Sequence, residues 1–299
     1  MSSNLFFMKK VKKNEYNGYG VLAKQTFRIN KFFTGIARYF LGLSHKFKFE
    51  QFKIVFGERE DDIYISTYPK SGTTLMQMIL YHLTTDGKMN FKHIYDVSPW
   101  IHNASFTGQK PPDLSSPRII KTHDNYKDFS KKTKGKFIYI YRNGMDVAVS
   151  NYHQQKNYNN SELKLDKYLT IFFKQKKWFK HTREWMLNKK NLSILYVKYE
   201  DLLQNKLKEI ERIISFLGIP RNKKAINRAL KYSSFEFMKK NESLFGEQPK
   251  VSKKTYNQFI RKGKSGDGKS ILTKKQKGIF TKYYNSLVKN LEEKTFSQK

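Results

Sequence analysis

The run IYISTYPKSGTTLMQMILYHL, Ile63–Leu83, decides the fold. Its first five residues, Ile63–Thr67, are short, apolar and β-branched, which predicts a buried strand. From Thr74 to Leu83 the residues are mostly apolar, with no proline or glycine, which predicts a helix. Between them lies Tyr68-Pro69-Lys70-Ser71-Gly72-Thr73-Thr74. A strand that turns straight into a helix aims the unpaired N–H groups of the helix start at one point, and the helix dipole adds partial positive charge there. Gly72 lets the backbone bend and approach an anion closely. Ser71, Thr73 and Thr74 supply hydroxyls, and Lys70 supplies a full charge. The loop reads as a cradle for phosphate or sulfate. An ordinary strand–helix turn with a threonine cap is the bland alternative. It leaves a lysine, a glycine and three hydroxyls in five residues unexplained.

Outward from this unit the pattern repeats. Arg118–Thr122 (RIIKT), Lys136–Tyr141 (KFIYIY) and Leu192–Tyr199 (LSILYVKY) read as further strands. Met145–His153 reads as a helix, as does Leu202–Leu217, which Gly218 and Pro220 stop. A last helix runs roughly over Thr273–Leu291. Strands alternating with helices imply an α/β domain with a central parallel sheet flanked by helices. Asn103–Pro117 and Asn241–Lys269 read as loops, and the polar run Gln154–Asn160 as a mobile surface segment. No internal repeat is evident.

Other clusters fall where a parallel sheet collects ligand chemistry, at strand ends. Lys121-Thr122-His123 ends one strand. Arg142-Asn143-Gly144-Met145-Asp146-Val147-Ala148-Val149-Ser150 ends another and enters a helix, and its Arg142 and Ser150 suit a second phosphate. Arg261-Lys262-Gly263 adds a basic, flexible segment. Gly263–Ser270, GKSGDGKS, matches the Walker A pattern letter for letter. Its context argues against a nucleotide loop of that kind. No buried strand precedes it, and only 29 residues follow Ser270, too few for the remaining sheet.

Together these segments resemble the PAPS-dependent sulfotransferases, in particular the cytosolic branch; PAPS is 3′-phosphoadenosine 5′-phosphosulfate. TYPKSGTT at Thr67–Thr74 is similar to that family's 5′-phosphosulfate loop, and YRNGMDVAVS at Tyr141–Ser150 to its 3′-phosphate motif. KTH at Lys121–His123 is similar to its catalytic strand end, YEDLL at Tyr199–Leu203 to its adenine-side segment, and RKGKSGDGK at Arg261–Lys269 to its RKGxxGDWK motif. Five motifs in order over about residues 50–290 are specific where one motif is not. Three places depart from the pattern. Leu75 stands where the family's first loop has Trp, Gly268 where its last motif has Trp, and Asp124-Asn125 where Leu-Pro follows the KTH triplet.

The resemblance implies a single domain whose phosphosulfate-binding loop is related to that of P-loop kinases. It implies PAPS as sulfate donor and transfer to a hydroxyl or amine acceptor by in-line displacement. His123 is the residue in these motifs suited to be a base near neutral pH. Lys70 is expected to stabilise charge on the bridging oxygen, and Lys121 to neutralise the sulfuryl oxygens. Arg142, Ser150, Arg261, Lys262 and Gly263 are expected at the 3′-phosphate, with Ser71, Gly72, Thr73 and Thr74 in the cradle. By resemblance, Tyr199 and Ser233 lie beside the adenosine. No metal is expected, because a sulfuryl group carries less charge than a terminal phosphoryl group and lysines can serve. Asp61 and Asp62, at the far end of the first strand, read as solvated charges. Aromatics at Tyr95, Trp100, Phe106, Tyr152 and Tyr158 are candidates for an acceptor pocket. The acceptor, a small molecule, carbohydrate or lipid, is not legible. A nucleotide- or polyanion-binding protein without transfer activity is the alternative from another class, and an ATP-dependent kinase a third.

The chain of 299 residues is long enough for a substantial core, and its 38% apolar content marks it as globular. It has no cysteine, which excludes disulfides, iron–sulfur clusters and thiol catalysis. The formal charge of +34 comes from 49 Lys and 10 Arg scattered along the whole chain. Scattered lysine suits compositional bias plus an anionic ligand better than a specific nucleic-acid reader, which concentrates its basic residues. Residues 1–50 form a basic extension ahead of a domain over 51–299. In that extension Leu22, Ile29, Phe33, Ile36, Phe40 and Leu43 recur at helical steps, with Lys24, Arg28, Lys31 and Arg38 opposite. This predicts an amphipathic helix, packed on the domain by preference, with an anionic membrane as the other use. No run reaches the ~20 apolar residues of a spanning helix, and no signal peptide is evident, so the cytoplasm is the expected compartment.

Overall fold

A computed structural model describes residues 54–100, 102, 113–158, 161–246 and 259–297, with scattered positions between 29 and 51. Leu22, Lys24, Arg28, Lys31, Arg38, residues 103–112 with Phe106, Asn159, Asn160 and residues 247–258 lie outside it. The chain divides into two units, Met1–Gln51 and Phe52–Lys299. In the first, the described residues from Ile29 on are helical.

The second unit is built on four parallel strands: β1 (Ile63–Thr67), β2 (Ile119–Thr122), β3 (Lys136–Tyr141) and β4 (Ile194–Lys198). Their order in the sheet is β2-β1-β3-β4, with Ile65 opposite Lys121 on one side and Ile138 on the other. The two-residue side-chain period sorts the sheet into an aliphatic and an aromatic face. Ile63, Ile65, Ile119, Ile138, Ile140 and Val197 join one core cluster. Against them pack α1 (Thr73–Thr84), α6 (Lys206–Leu217) and α7 (Lys223–Tyr232), which contribute Met76, Ile79 and Leu80, Ile210, Ile213 and Ile214, and Ile226 and Ala229 to that cluster. On the opposite face Tyr64 stacks on Phe137 at 4.8 Å, and Tyr139 stacks on Trp185 at 5.4 Å. Trp185 comes from α4 (Lys177–Leu187), beside α2 (Gly144–Tyr158) and α3 (Leu165–Gln175). Burial on both faces is what a parallel sheet requires.

Several sequence boundaries shift. The polar run from Gln154 is helical as far as Tyr158, continuing α2, because nothing in it breaks a helix. The single helix expected over Leu202–Leu217 is two, α5 (Tyr199–Gln204) and α6, parted at Asn205, whose side chain caps α6 through the Lys208 N–H. Short α8 (Phe235–Lys240) follows α7, and α9 (Asp267–Ile271) begins within the expected C-terminal loop and runs two residues past its end. The last expected helix is split at Val288 into α10 (Lys274–Leu287) and α11 (Lys289–Phe296).

Asp62 is a correction of substance. It is fully buried rather than solvated. Its two oxygens accept Nε and Nη2 of Arg118, each at 2.7 Å, while Arg118 also donates to the carbonyls of Phe56 and Gly57. This bidentate pair pins the entry ends of β1 and β2 together, and removing one partner of such a pair costs about 3–5 kcal/mol. Asp61 is exposed as expected.

Candidate active site

All four strands point the same way, so their C-terminal ends gather at one edge. The cradle loop leaves β1 there. Lys70 takes a left-handed conformation (φ 70°), and Gly72 follows at φ 100°. Glycine is required at 72 twice over. The positive φ disfavours a side chain, and a Cβ there would meet the Tyr199 ring at 2.6 Å. The turn delivers Thr73 into the first turn of α1 with its Oγ1 2.7 Å from Thr67 Oγ1.

One cavity of about 460 Å³ opens at this edge. Lys70, Gly72, Thr73, Thr74, Lys121, His123, Arg142, Ser150, Tyr199, Ser233, Arg261, Lys262 and Gly263 all line it. The residues singled out from sequence are therefore brought together from segments up to two hundred residues apart. Ser71 sits behind the wall, buried. No carboxylate is among the described lining residues, so the field inside favours an anion.

Arg142, at the end of β3, ties the parts together. Its Nη1 donates to the Lys70 carbonyl at 3.0 Å and its Nη2 to the Lys264 carbonyl at 3.2 Å, with the guanidinium 4.4 Å over the Tyr199 ring. Gly263 (φ 60°) is pressed on Phe235, where a Cβ would approach the ring to 2.2 Å. Asp267 pairs with Arg261 and, at 3.0 Å, with Lys262.

The unspent polar atoms of the cavity fit a bisphosphorylated nucleotide. Arg142 Nε, Arg261 Nε and Ser233 Oγ, all from lining residues, are buried without a hydrogen-bond partner. Leaving such atoms unmade is costly, so a ligand with several acceptors fits them. Two of the three are donors from the second phosphate motif and the C-terminal loop. Ser233 shares the cavity wall with Leu75, Phe235 and Met238.

His123 and Lys121 line the same cavity. His123 Nδ1 lies 2.9 Å from the Thr67 carbonyl and 3.0 Å from Thr67 Oγ1. A carbonyl can only accept, so Nδ1 carries the proton and Nε2 keeps its lone pair. Burial, then the nearby Lys121 charge, hold the imidazole well below its ordinary range, against the Thr67 bond, which raises it; Lys70 adds to the lowering. The ring is thus neutral at pH 7 with Nε2 basic. Lys121 Nζ lies 2.6 Å from the Tyr95 hydroxyl and 4.3 Å over the Trp100 ring. Trp100 meets His123 edge to face at 5.1 Å.

Of the acceptor aromatics, Trp100 and Tyr158 line the cavity. Tyr152 is buried, its hydroxyl donating to the Leu163 carbonyl, and Tyr95 contacts Lys121 instead. Sequence reasoning missed Lys206, Phe235 and Phe259, which also line it. Phe235 had a local signal in its Ser234 helix cap, but nothing marked it as facing a ligand. Among the described residues no group of three or more His, Asp or Glu is arranged to hold a metal ion.

The Walker-like stretch has a different use. The backbone N–H groups of Gly266 and Gly268 both donate to the Asp146 carboxylate, at 2.7 Å each. Amides that would cradle a phosphate in a nucleotide loop are spent on the protein's own acid. The segment just before it, residues 259–262, is not a strand.

Residues 60–293 match the family described as the sulfotransferase domain. Human Sulfotransferase 2B1 is 33% identical over 251 residues, covering 78% of this chain and 67% of that protein. The guinea-pig 3-alpha-hydroxysteroid sulfotransferase is 32% identical, covering 80% and 88%. Among solved structures, mouse sulfotransferase SULT7A1 complexed with PAP superposes with a TM-score of 0.63 at 26% identity, over 82% of this chain and 93% of that one. A retinol dehydratase complexed with androsterone and PAP shares the fold, with a TM-score of 0.65 at 20% identity over 79% and 83%.

Proposed function

The chain belongs to the PAPS-dependent sulfotransferase family, and from that premise we propose that it moves the sulfuryl group of PAPS to a hydroxyl or amine acceptor with His123 as general base. PAPS supplies the sulfuryl group and departs as adenosine 3′,5′-bisphosphate. The observation that carries the His123 assignment is its Nδ1 contact with the Thr67 carbonyl, which leaves Nε2 to take the acceptor proton. Lys70 stabilises the negative charge that grows on the leaving phosphate. Lys121, steadied by Tyr95 and Trp100, faces the sulfuryl oxygens. Arg142, Ser150, Arg261, Lys262 and Gly263 grip the 3′-phosphate, with Ser71, Gly72, Thr73 and Thr74 around the 5′ end. Tyr199 and Ser233 flank the adenosine. The unspent donors at Arg142 and Arg261, both in the cavity wall, support this division.

Among the described residues no helix is long and apolar enough to cross a membrane. The compartment we propose is the cytoplasm, on the resemblance to the cytosolic branch. The test is a PAPS-dependent transfer assay paired with calorimetry of adenosine 3′,5′-bisphosphate against AMP in EDTA. Tight bisphosphate binding with measurable transfer supports the reading. Binding without transfer to any acceptor favours a nucleotide-binding protein instead, and equal affinity for the two nucleotides removes the 3′-phosphate site.

A further inference from the structure

Helix α2 brings Ser150 to the cavity, and His153 follows it three residues on. At that spacing two side chains share a helix face, with Cβ atoms about 5–6 Å apart. Both line the cavity, as do Arg261, Lys262 and Gly263 from the C-terminal loop. The His153 ring is half-buried and meets the Tyr152 ring at 5.1 Å. Among the described residues its nitrogens make no hydrogen bond.

The charges that act on this ring come from three segments. Arg261 and Lys262 in the loop, and Lys156 one turn further along α2, disfavour a positive charge on it. Asp267 of α9 favours one, but it is already paired with Arg261 and Lys262. Burial is the largest effect and acts with the cations, so the imidazole sits below its ordinary range and is neutral at pH 7. A phosphate dianion reverses that balance. It sets negative charge beside a ring that otherwise sees mainly cations, and its oxygens accept charge-assisted hydrogen bonds from an imidazolium.

From the face that His153 shares with Ser150, and resting on the reading of Ser150, Arg261 and Lys262 as part of the 3′-phosphate grip, we propose that His153 is a further ligand of that phosphate, neutral in the free protein and protonated when the nucleotide is bound. A proton from solvent adds to the vacant ring nitrogen as the nucleotide enters, and no bond of the nucleotide changes. Linkage then fixes the sign. Affinity is level above the ring's pKa in the complex, rises as pH falls through it, and levels again below the lower pKa of the free protein. Acid therefore holds the nucleotide and alkali releases it.

Calorimetry of the full chain with adenosine 3′,5′-bisphosphate, at pH 7 in two buffers of different ionisation enthalpy, counts the protons exchanged. The nucleotide's own phosphates titrate near pH ~6 and give protons up to a cationic site, so the reference is His153→Gln, which keeps a neutral donor. The unsubstituted protein is expected to take up at least about 0.3 proton more per nucleotide than the variant. Each unit by which the ring's pKa rises is worth up to about tenfold, so His153→Gln should bind the bisphosphate about fivefold more weakly at pH 6 and within about twofold at pH 8.5. AMP, which lacks the 3′-phosphate, should bind both proteins alike at either pH, which also shows that the variant is folded. Equal proton uptake by the two proteins, a deficit that is the same at both pH values, or a deficit shared with AMP overturns the proposal. Bisphosphate affinity of the unsubstituted protein no greater than its AMP affinity would instead overturn the 3′-phosphate site on which the proposal rests.

Discussion

The Asp146 carboxylate accepts the backbone N–H of Gly268 at 2.7 Å, across 122 positions of sequence. With the second bond to Gly266, it clamps the C-terminal loop onto the start of α2. Arg261, Lys262 and Gly263 hang from that loop, and Arg142 reaches its Lys264 carbonyl from the same strand end that leads to Asp146. The carboxylate thus holds half of the proposed 3′-phosphate grip without facing the ligand itself, since it is not among the cavity's lining residues.

Asp146→Ala should therefore weaken adenosine 3′,5′-bisphosphate binding by about tenfold to a hundredfold and AMP binding far less. Charge-assisted hydrogen bonds contribute about 1.5–3 kcal/mol each, and part of that supports the loop. Calorimetry on both nucleotides checks it. Equal losses for the two would mean that the clamp does not serve the 3′-phosphate.

Lys70 and Lys269 separate the two glycine-rich loops. Lys70 lines the cavity, whereas Lys269 lies exposed on α9 and outside it. Lys70→Ala should cut kcat at least about a hundredfold, because the charge it meets grows only in the transition state. Lys269→Ala should change kcat/KM by no more than about threefold. Steady-state kinetics with saturating PAPS decide the matter. The reverse ranking would return the Walker-like loop to consideration.

What was legible in the sequence was local. The Ile63–Leu83 unit could be read because strand, glycine turn and helix are adjacent, and each motif carries its own spacing. Helices α3 and α4 were not read. They meet at Lys176, a non-glycine residue at φ 52°, with no glycine or proline to mark the break. Asp62 was misread because its partner Arg118 is 56 positions away and nothing local announces a buried pair. Phe235 and Lys206 reach the cavity only through packing of helices distant in sequence from the cradle. Gly268 in place of a tryptophan has a physical correlate. A Cβ at that position would meet Met145 Cβ at 2.4 Å, so this chain has closed the space a larger residue would use.

Buried neutral histidines set an acid limit on stability. His82 and His181 are both fully enclosed and lowered to about 4, each chiefly by burial. Their unfolded forms protonate near 6.5 while the folded forms do not, so the unfolded chain binds more protons between 6.5 and about 4. Stability is then present above 6.5 and lost as pH falls, at up to about 1.4 kcal/mol per pH unit for each ring. His82 stacks on Tyr232 at 4.8 Å, and both its nitrogens lack partners. His82→Phe keeps the stack and should flatten the slope. Urea midpoints at pH 7, 5.5 and 4.5 for both proteins are the measurement. Parallel curves would show that His82 does not contribute.

The pH profile of transfer turns on His123. Burial and the Lys121 charge hold its imidazole well below 6.5, so it is already the free base at neutral pH. With a non-acidic alcohol, kcat/KM should be level from pH 7 upward until other groups titrate. It should fall only on the acid side of 6.5, as the ring takes up the proton that disables it. His123→Ala should lower kcat by about 10²–10⁴-fold with that alcohol, the range of acid–base catalysis. Bisphosphate affinity should be nearly unchanged, since the ring is held through Nδ1 by Thr67 and is not among the residues proposed to grip either phosphate. An acidic phenol, already ionised at the assay pH, has no proton to give up and should restore part of the mutant's rate. Replacing the ring's anchor gives an independent check. Thr67→Val removes the hydroxyl at 3.0 Å but keeps the carbonyl at 2.9 Å, so the tautomer is preserved and the loss should be well short of that in His123→Ala. Full activity of His123→Ala on the non-acidic alcohol would place the base elsewhere, whatever the behaviour of Thr67→Val.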